Sequence, residues 1–493
     1  MSLSPEICYA ILMLVGLCTG ALLNWLADYW GWNQRFRSPW RRIPKHLMQE
    51  ALRQFRADQN RQQPKGSPAG RVGGRFSSDS AGVAGRFSSD SAGVAESAFR
   101  KIWFDFLPLL GWLHFARFSP LIGRGFWIRP FCVELLCGLG LVFLYRWEVE
   151  WQKLWIVPDA GMLSETQTVL VTRFVLHAVF FFFLLLATLT DFDDFVIRAL
   201  ITVPGTILGL LAGALLTWGM LPSTEIVFHT NPTAETVNEQ GLIPIPDYGD
   251  DGVGLYYRNE NVPLHAASPN CNPPEMMGRP NFATLAIALL CWWGWCFAGM
   301  NRVWRMKFGF KRAMSLFLRR LRRSLSTWWY LLAALIGSLV IAIFWNGTQC
   351  WQGAYSALIG MAVGGGMVWY VRQVAAWTLK VEAMGFGDVT FMAMIGAFLG
   401  WQPCIFIFFI APLAGLVIAV ARLLLGLGNG IYYGPFLALA TLVTVLFWPH
   451  LWLWAEPFFE ARWIVPAMLL FCGVLFVILL RLLVTVKRLL GLA

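Results

Sequence analysis

The chain has 493 residues, 57% of them hydrophobic, 15% aromatic and 14% charged, with a formal net charge of +11. A soluble domain would carry roughly 25% charged residues, so this composition excludes an ordinary soluble enzyme and predicts a polytopic α-helical membrane protein. The positive charge is concentrated in particular loops, as membrane topology requires; the lipid bilayer is therefore an expected partner and nucleic acid is not.

A spanning helix needs about 20 mostly apolar residues. Eleven runs are candidates: 7–26, 131–147, 169–190, 200–220, 282–300, 327–345, 354–375, 389–401, 404–421, 432–447 and 463–483. The short run 389–401 reads equally as a re-entrant or tilted segment. Continuous apolarity, without alternation, argues against a β-barrel. The first run has no basic leader and no Ala-x-Ala site, so a retained helix is expected. The region 27–130 follows, with 17 Lys or Arg against 7 Asp or Glu. Within it, Gly74–Ala84 reads GRFSSDSAGVA and Gly85–Ala95 repeats it; the surrounding tract 57–98 is too polar to bury a core. The segment 221–281 carries 8 acidic and 2 basic residues and reads as an outer loop or small subdomain. Residues 301–326 carry 9 basic residues and no acid, a pattern expected of a basic amphipathic helix on the inner leaflet. Positive loops stay inside. This puts the N-terminus and 221–281 outside, and 27–130, 301–326 and the C-terminus inside.

Side chains with a simpler reading come next. Most of the ten cysteines sit in apolar runs as small hydrophobes; Cys271 and Cys350 are candidates for an outer disulfide. His177 reads as a core histidine, and His114, His229 and His265 show no metal-ligand spacing. Gly360 and Gly364-Gly365-Gly366 read as sites of close helix packing. The triplet Asn346-Gly347-Thr348 is too short a signal to assign glycosylation.

Two acidic positions stand apart. Asp191, Asp193 and Asp194 end one apolar run, and Asp388 opens another within Glu382-Ala383-Met384-Gly385-Phe386-Gly387-Asp388. An ionisable group at membrane depth is costly and marks function by default. The charge pattern puts both positions at the same membrane face. Two carboxylates within a few ångströms share a proton, because each disfavours ionisation of the other. Such a pair can bind a cation, relay protons, or hydrolyse a peptide bond through an activated water. Gly385 and Gly387 would let a substrate backbone approach closely. Taken alone, Gly-x-Gly-Asp reads equally as a helix-ending turn.

The surrounding sequence resembles the type IV prepilin peptidases, membrane aspartic proteases of the Gly-x-Gly-Asp type. The resemblance rests on five elements in order. They are Gly20 and Asn24; Arg129-Pro130-Phe131-Cys132-Val133-Glu134; Thr190-Asp191-Phe192-Asp193-Asp194 followed by Thr202-Val203-Pro204; Glu382 through Asp388 with Met392–Trp401; and Tyr433-Gly434-Pro435-Phe436-Leu437-Ala438. It implies Asp191 and Asp388 as the catalytic pair. Gly385, Gly387, Glu382, Asp193, Asp194 and Glu134 are implied as supporting residues, Glu134 either as a hydrogen-bond acceptor for substrate or as a cap. Where the family has Pro-Asp after the first motif, Arg198-Ala199 stands here. The family's zinc-binding Cys-x-x-Cys pairs are missing from 27–125, which has no cysteine, so neither metal nor organic cofactor is expected and methyl transfer is left open.

The resemblance implies cleavage of the basic leader of prepilins or pseudopilins at the cytoplasmic face of the inner membrane, serving type IV pilus or type II secretion assembly. Two alternatives stand beside it: an ion-coupled transporter, and an inactive relative acting in assembly. The expected architecture has about eight family-core helices, an inserted hairpin and an extra C-terminal helix. Its divisions are 1–26, 27–130, 131–220, 221–353, 354–447 and 448–493. Oligomeric state is left open.

Overall fold

The structure is a computed structural model describing residues 4–30, 107–116, 125–156, 167–230, 243–244, 255–269, 281–300, 310–346, 348–379, 384–425, 433–461 and 463–489. The repeat at 74–95, Glu382, Cys271 and most of 27–130 lie outside the described residues. The chain forms two compact units, Met1–Phe143 and Leu144–Ala493.

The first unit holds α1 (Pro5–Trp30), the short α2 (Leu110–Phe115) and most of α3 (Ile128–Tyr145). Glu134 on α3 is its polar centre and is 2% exposed. Its carboxylate accepts hydrogen bonds from Trp112 Nε1 at 2.6 Å, the Leu109 amide at 2.7 Å and Asn24 Nδ2 at 3.4 Å. Asn24 Nδ2 also donates to the Pro130 carbonyl. Both carboxylate oxygens are thus taken up by protein donors, and Glu134 ties α1, the turn before α2 and α3 together. Glu134→Ala is expected to lower stability by about 1–3 kcal/mol for each buried donor left unpaired. Thermal unfolding in detergent, compared with an exposed Glu6→Ala control, measures it.

The second unit begins with a π-helical turn, Arg146–Glu150, that continues α3. Its helices are α4 (Gln167–Asp194), α5 (Ala199–Leu215), α6 (Phe282–Gly299), α7 (Phe310–Arg323), α8 (Leu325–Trp345), α9 (Thr348–Leu379), α10 (Phe386–Leu399), α11 (Trp401–Leu424), α12 (Gly434–Leu446), α13 (Trp448–Glu460) and α14 (Ile464–Leu489). Among the described residues, eight helices are long and apolar enough to cross a membrane: α1, α3 with its π turn, α4, α6, α8, α9, α11 and α14. The polytopic α-helical class expected from composition is therefore the one observed. Two of the eleven expected runs form shorter helices, α5 and α10, and α12 and α13 meet at a bend of 86°.

The core of this unit is where α9 packs on α10 and α5. Gly360 of α9 and Gly396 of α10 bring their backbones into contact, which a side chain on either would prevent. The hairpin of α6 and α8 joins this core through Ala288 and Ile341, which cluster with Trp351, Leu358, Met361, Ala393 and Ala397. The Ser324 hydroxyl caps α8 by accepting the Thr327 amide. His177 is buried as expected, its Nδ1 2.6 Å from the Glu148 carboxylate on the π turn.

Part of the acidic segment is a sheet that the sequence reading did not resolve. Strands β1 (Pro222–Thr230), β2 (Ile243–Pro244) and β3 (Leu255–Pro263) pair antiparallel in the order β1-β3-β2, with Pro222 opposite Pro263 and Thr230 opposite Leu255. Its base is fastened to helix ends. Trp448 Nε1 donates to the Pro222 carbonyl at 2.7 Å, and Trp452 Nε1 to Thr224 Oγ1 at 2.9 Å. Thr224 Oγ1 in turn donates to the Glu456 carboxylate. Gln402 Nε2 donates to the His265 carbonyl, Trp401 Nε1 to that of Ala266, and the Ala266 amide to Ser356 Oγ. Trp401 and Gln402 lie just past the C-terminal end of α10. The sheet therefore sits at the end of α10 opposite Asp388, roughly 18 Å away at the helical rise per residue.

Candidate active site

Asp191 lies in the last turn of α4 and is 6% exposed. Three carboxylates within four residues at a helix C-terminus work against the helix dipole, which favours cations there. A local conflict of this kind is expected where function overrides folding preference. The strain is partly offset from α12. The Gly434 amide, at that helix's positive N-terminus, donates to Asp191 Oδ2 at 3.1 Å. A Cβ at Gly434 would lie 2.7 Å from Asp191 Oδ2 and 2.9 Å from Ile197 Cδ1, so a side chain there would displace the Asp191 carboxylate or the Ile197 methyl.

Asp388 is the third residue of α10, whose N-cap is Gly385 in extended conformation. Its carboxylate accepts the Gly385 amide, as an N3 carboxylate does in half of a capping box. The next residue but one, Thr390, donates to the Gly387 carbonyl at 2.9 Å and receives Thr202 Oγ1 of α5, also at 2.9 Å. These buried hydroxyls fix the first turn of α10 against α5. From the other side, Arg372 of α9 donates through Nε to the Met384 carbonyl at 3.0 Å, with its guanidinium 5.8 Å from the Phe386 ring centre.

The fold brings the two aspartates together although 197 positions separate them in the sequence: the charge of Asp191 acts directly on the Asp388 carboxyl. The Tyr433 phenol lies close enough to Asp388 to feel its charge as well. Gly387 and Gly434 are bridged by Ile197, from the turn between α4 and α5, which is buried. A Cβ on Gly387 would be 2.6 Å from the Ile197 carbonyl oxygen, whereas one on Gly385 would meet nothing closer than Asp388 Oδ2 at 3.6 Å. Close approach explains the second glycine of the motif, and the first has room for a methyl.

The remaining expected residues fall as follows. Asp193 is half-buried on the same turn as Asp191. Asp194 pairs with Arg198 at 3.1 Å. Glu134 belongs to the first unit, where three protein donors occupy it. Glu382 lies outside the described residues. Among the described residues no group of three or more His, Cys, Asp or Glu is arranged to hold a metal ion. Ile197, Arg372 and Tyr433 escaped the sequence reading as site residues. Tyr433 stood in a matched element without a role, and Arg372 gave a signal only as a cation in an apolar run.

Residues 321–420 match the type IV leader peptidase family, a segment that contains the Gly385–Asp388 motif and leaves Asp191 outside. The chain is 31% identical over 125 residues to a prepilin leader peptidase/N-methyltransferase of Aeromonas salmonicida (strain A449), covering 24% of this chain and 43% of the relative. It is 31% identical over 117 residues to the protein of that name from Stutzerimonas stutzeri (22% and 40%), and 30% over 138 residues to that of Pseudomonas aeruginosa PAO1 (25% and 48%). The alignments thus span under half the length of these curated relatives. No solved structure matches significantly. The chain is a multi-pass α-helical membrane protein whose residues 321–420 are similar to the type IV leader peptidase family, and the resemblance read from its second acidic motif holds there.

Proposed function

We propose that this protein is a membrane aspartic endopeptidase that removes the basic leader from prepilins or pseudopilins at the cytoplasmic face of the inner membrane. The observation that carries the reading is the convergence of Asp191 and Asp388, each held by a backbone amide at a helix N-terminus. Two neighbouring carboxylates hold one proton between them. The ionised member takes a proton from water as that water attacks the scissile carbonyl carbon. The protonated member gives its proton to the departing amine when the C–N bond breaks. The pair ends with one proton, as it began. Each transfer is worth roughly 10²–10⁴-fold in rate.

In this reading the N-terminus is outside, and the acidic sheet lies on the face away from the site. The mature pilin serves type IV pilus or type II secretion assembly. The test is incubation of the purified protein with a leader-bearing pilin peptide and mass measurement of both product ends. Release of the leader with a free amine on the new N-terminus is the expected result, and a methylated amine would add a transferase activity. An intact peptide under conditions where a known leader peptidase cuts it would refute the reading.

A further inference from the structure

The turn between α4 and α5 has a feature that the catalytic pair does not explain. Helix α4 ends as the Phe195 amide donates to the Asp191 carbonyl at 3.0 Å. Phe195 then takes a left-handed φ of 58°, a conformation that a bulky residue holds only when its surroundings impose it. The Phe195 and Val196 side chains are largely exposed. Arg198 follows as the N-cap of α5, its carbonyl accepting the Ile201 amide at 3.0 Å and the Thr202 amide at 3.3 Å. Its guanidinium reaches back across the turn to Asp194 Oδ2 at 3.1 Å. The Asp194 side chain is 1% exposed, and the Arg198 cation offsets its charge beside a helix C-terminus.

Inside the turn closed by this pair sits Ile197. Its carbonyl abuts Gly387, the neighbour of Asp388, and its Cδ1 abuts Gly434, the amide donor to Asp191. Any displacement of Ile197 therefore moves both elements that orient the carboxylates. We infer that Asp194 and Arg198 form a latch, and that as positioning residues they hold Ile197 as the spacer setting the separation of Asp191 and Asp388. Asp194 accordingly has a role apart from acid–base chemistry, and Arg198 supplies the cation that makes it possible. The inference rests on the protease reading for its kinetic readout.

The test uses the full-length protein with Asp194→Asn, Arg198→Gln, the two combined, Arg198→Lys and Ile197→Ala. Each of the first two and Ile197→Ala should lower kcat about tenfold, as a sub-ångström misplacement of reacting groups does. KM should stay within about twofold, because substrate contacts are untouched. The double variant should be no slower than either single one, and Arg198→Lys should recover most of the loss. A pair that merely adds stability would lower the unfolding temperature without this split. Unchanged kcat in the single variants, or losses that multiply in the double variant, would overturn the latch while leaving the protease reading intact. Should the parent chain cut no leader, the proposed function fails on its own. The latch is then judged by hydrogen exchange over 192–200. Faster exchange in Arg198→Gln, undone by Arg198→Lys, supports it, and unchanged exchange overturns it.

Discussion

Asp388→Asn and Asp191→Asn are each expected to abolish leader removal while the protein stays folded in the membrane. The substitution is close to isosteric, and each asparagine keeps a side-chain oxygen. The Gly385 amide can still be accepted at position 388 and the Gly434 amide at 191. What is lost is the ability to exchange a proton, so the fall in kcat should be roughly 10²–10⁴-fold or more for either change. Because the two groups act as a unit, the double variant should be about as inactive as each single one. Steady-state cleavage of a leader-bearing peptide, together with membrane-fraction yield, reads both parts. Processing at the parent rate in either variant would remove the aspartic mechanism.

The second large effect separates the two glycines of the motif. Gly387→Ala puts a methyl 2.6 Å from the Ile197 carbonyl oxygen and 2.9 Å from Ile197 Cβ, and a backbone carbonyl has little freedom to yield. The first turn of α10 must shift, carrying Asp388 with it, and about 10²-fold of activity should go. The overpacking should also cost about 1–3 kcal/mol of stability. Gly385→Ala meets Asp388 Oδ2 only at 3.6 Å and has a φ of −68°, which alanine adopts freely. That variant should keep most of its activity. Equal losses at the two positions would mean that the glycines serve the substrate and not the packing against Ile197.

Much of the site was legible in the sequence because its physics is local. Asp191 and Asp388 announce themselves as ionisable groups at the edges of apolar runs, and the loop charges place both at one face. The Asp194–Arg198 pair has the i,i+4 spacing of a helical ion pair, although the chain bends between them. What could not be read depends on contacts between distant segments. The unequal demand at Gly385 and Gly387 follows from a carbonyl nearly 200 positions upstream. Glu134 looked available to a substrate until its partners Asn24, Leu109 and Trp112 were placed around it. The sheet was hidden because Pro, Asn and Asp recur through 221–281 and interrupt the alternation that marks strands. Helix α13 falls between the expected runs 432–447 and 463–483, and its Pro449 occupies the first turn, where proline is tolerated.

The hydrogen bonds beneath the sheet make the acidic segment a poor candidate for a detachable module. Excising 222–269 would strip the acceptors from the indoles of Trp401, Trp448 and Trp452 and from the Gln402 amide at one stroke. An engineer wishing to shorten the chain must therefore refit the ends of α11 and α13 at the same time. Trimming of this protein is best begun elsewhere.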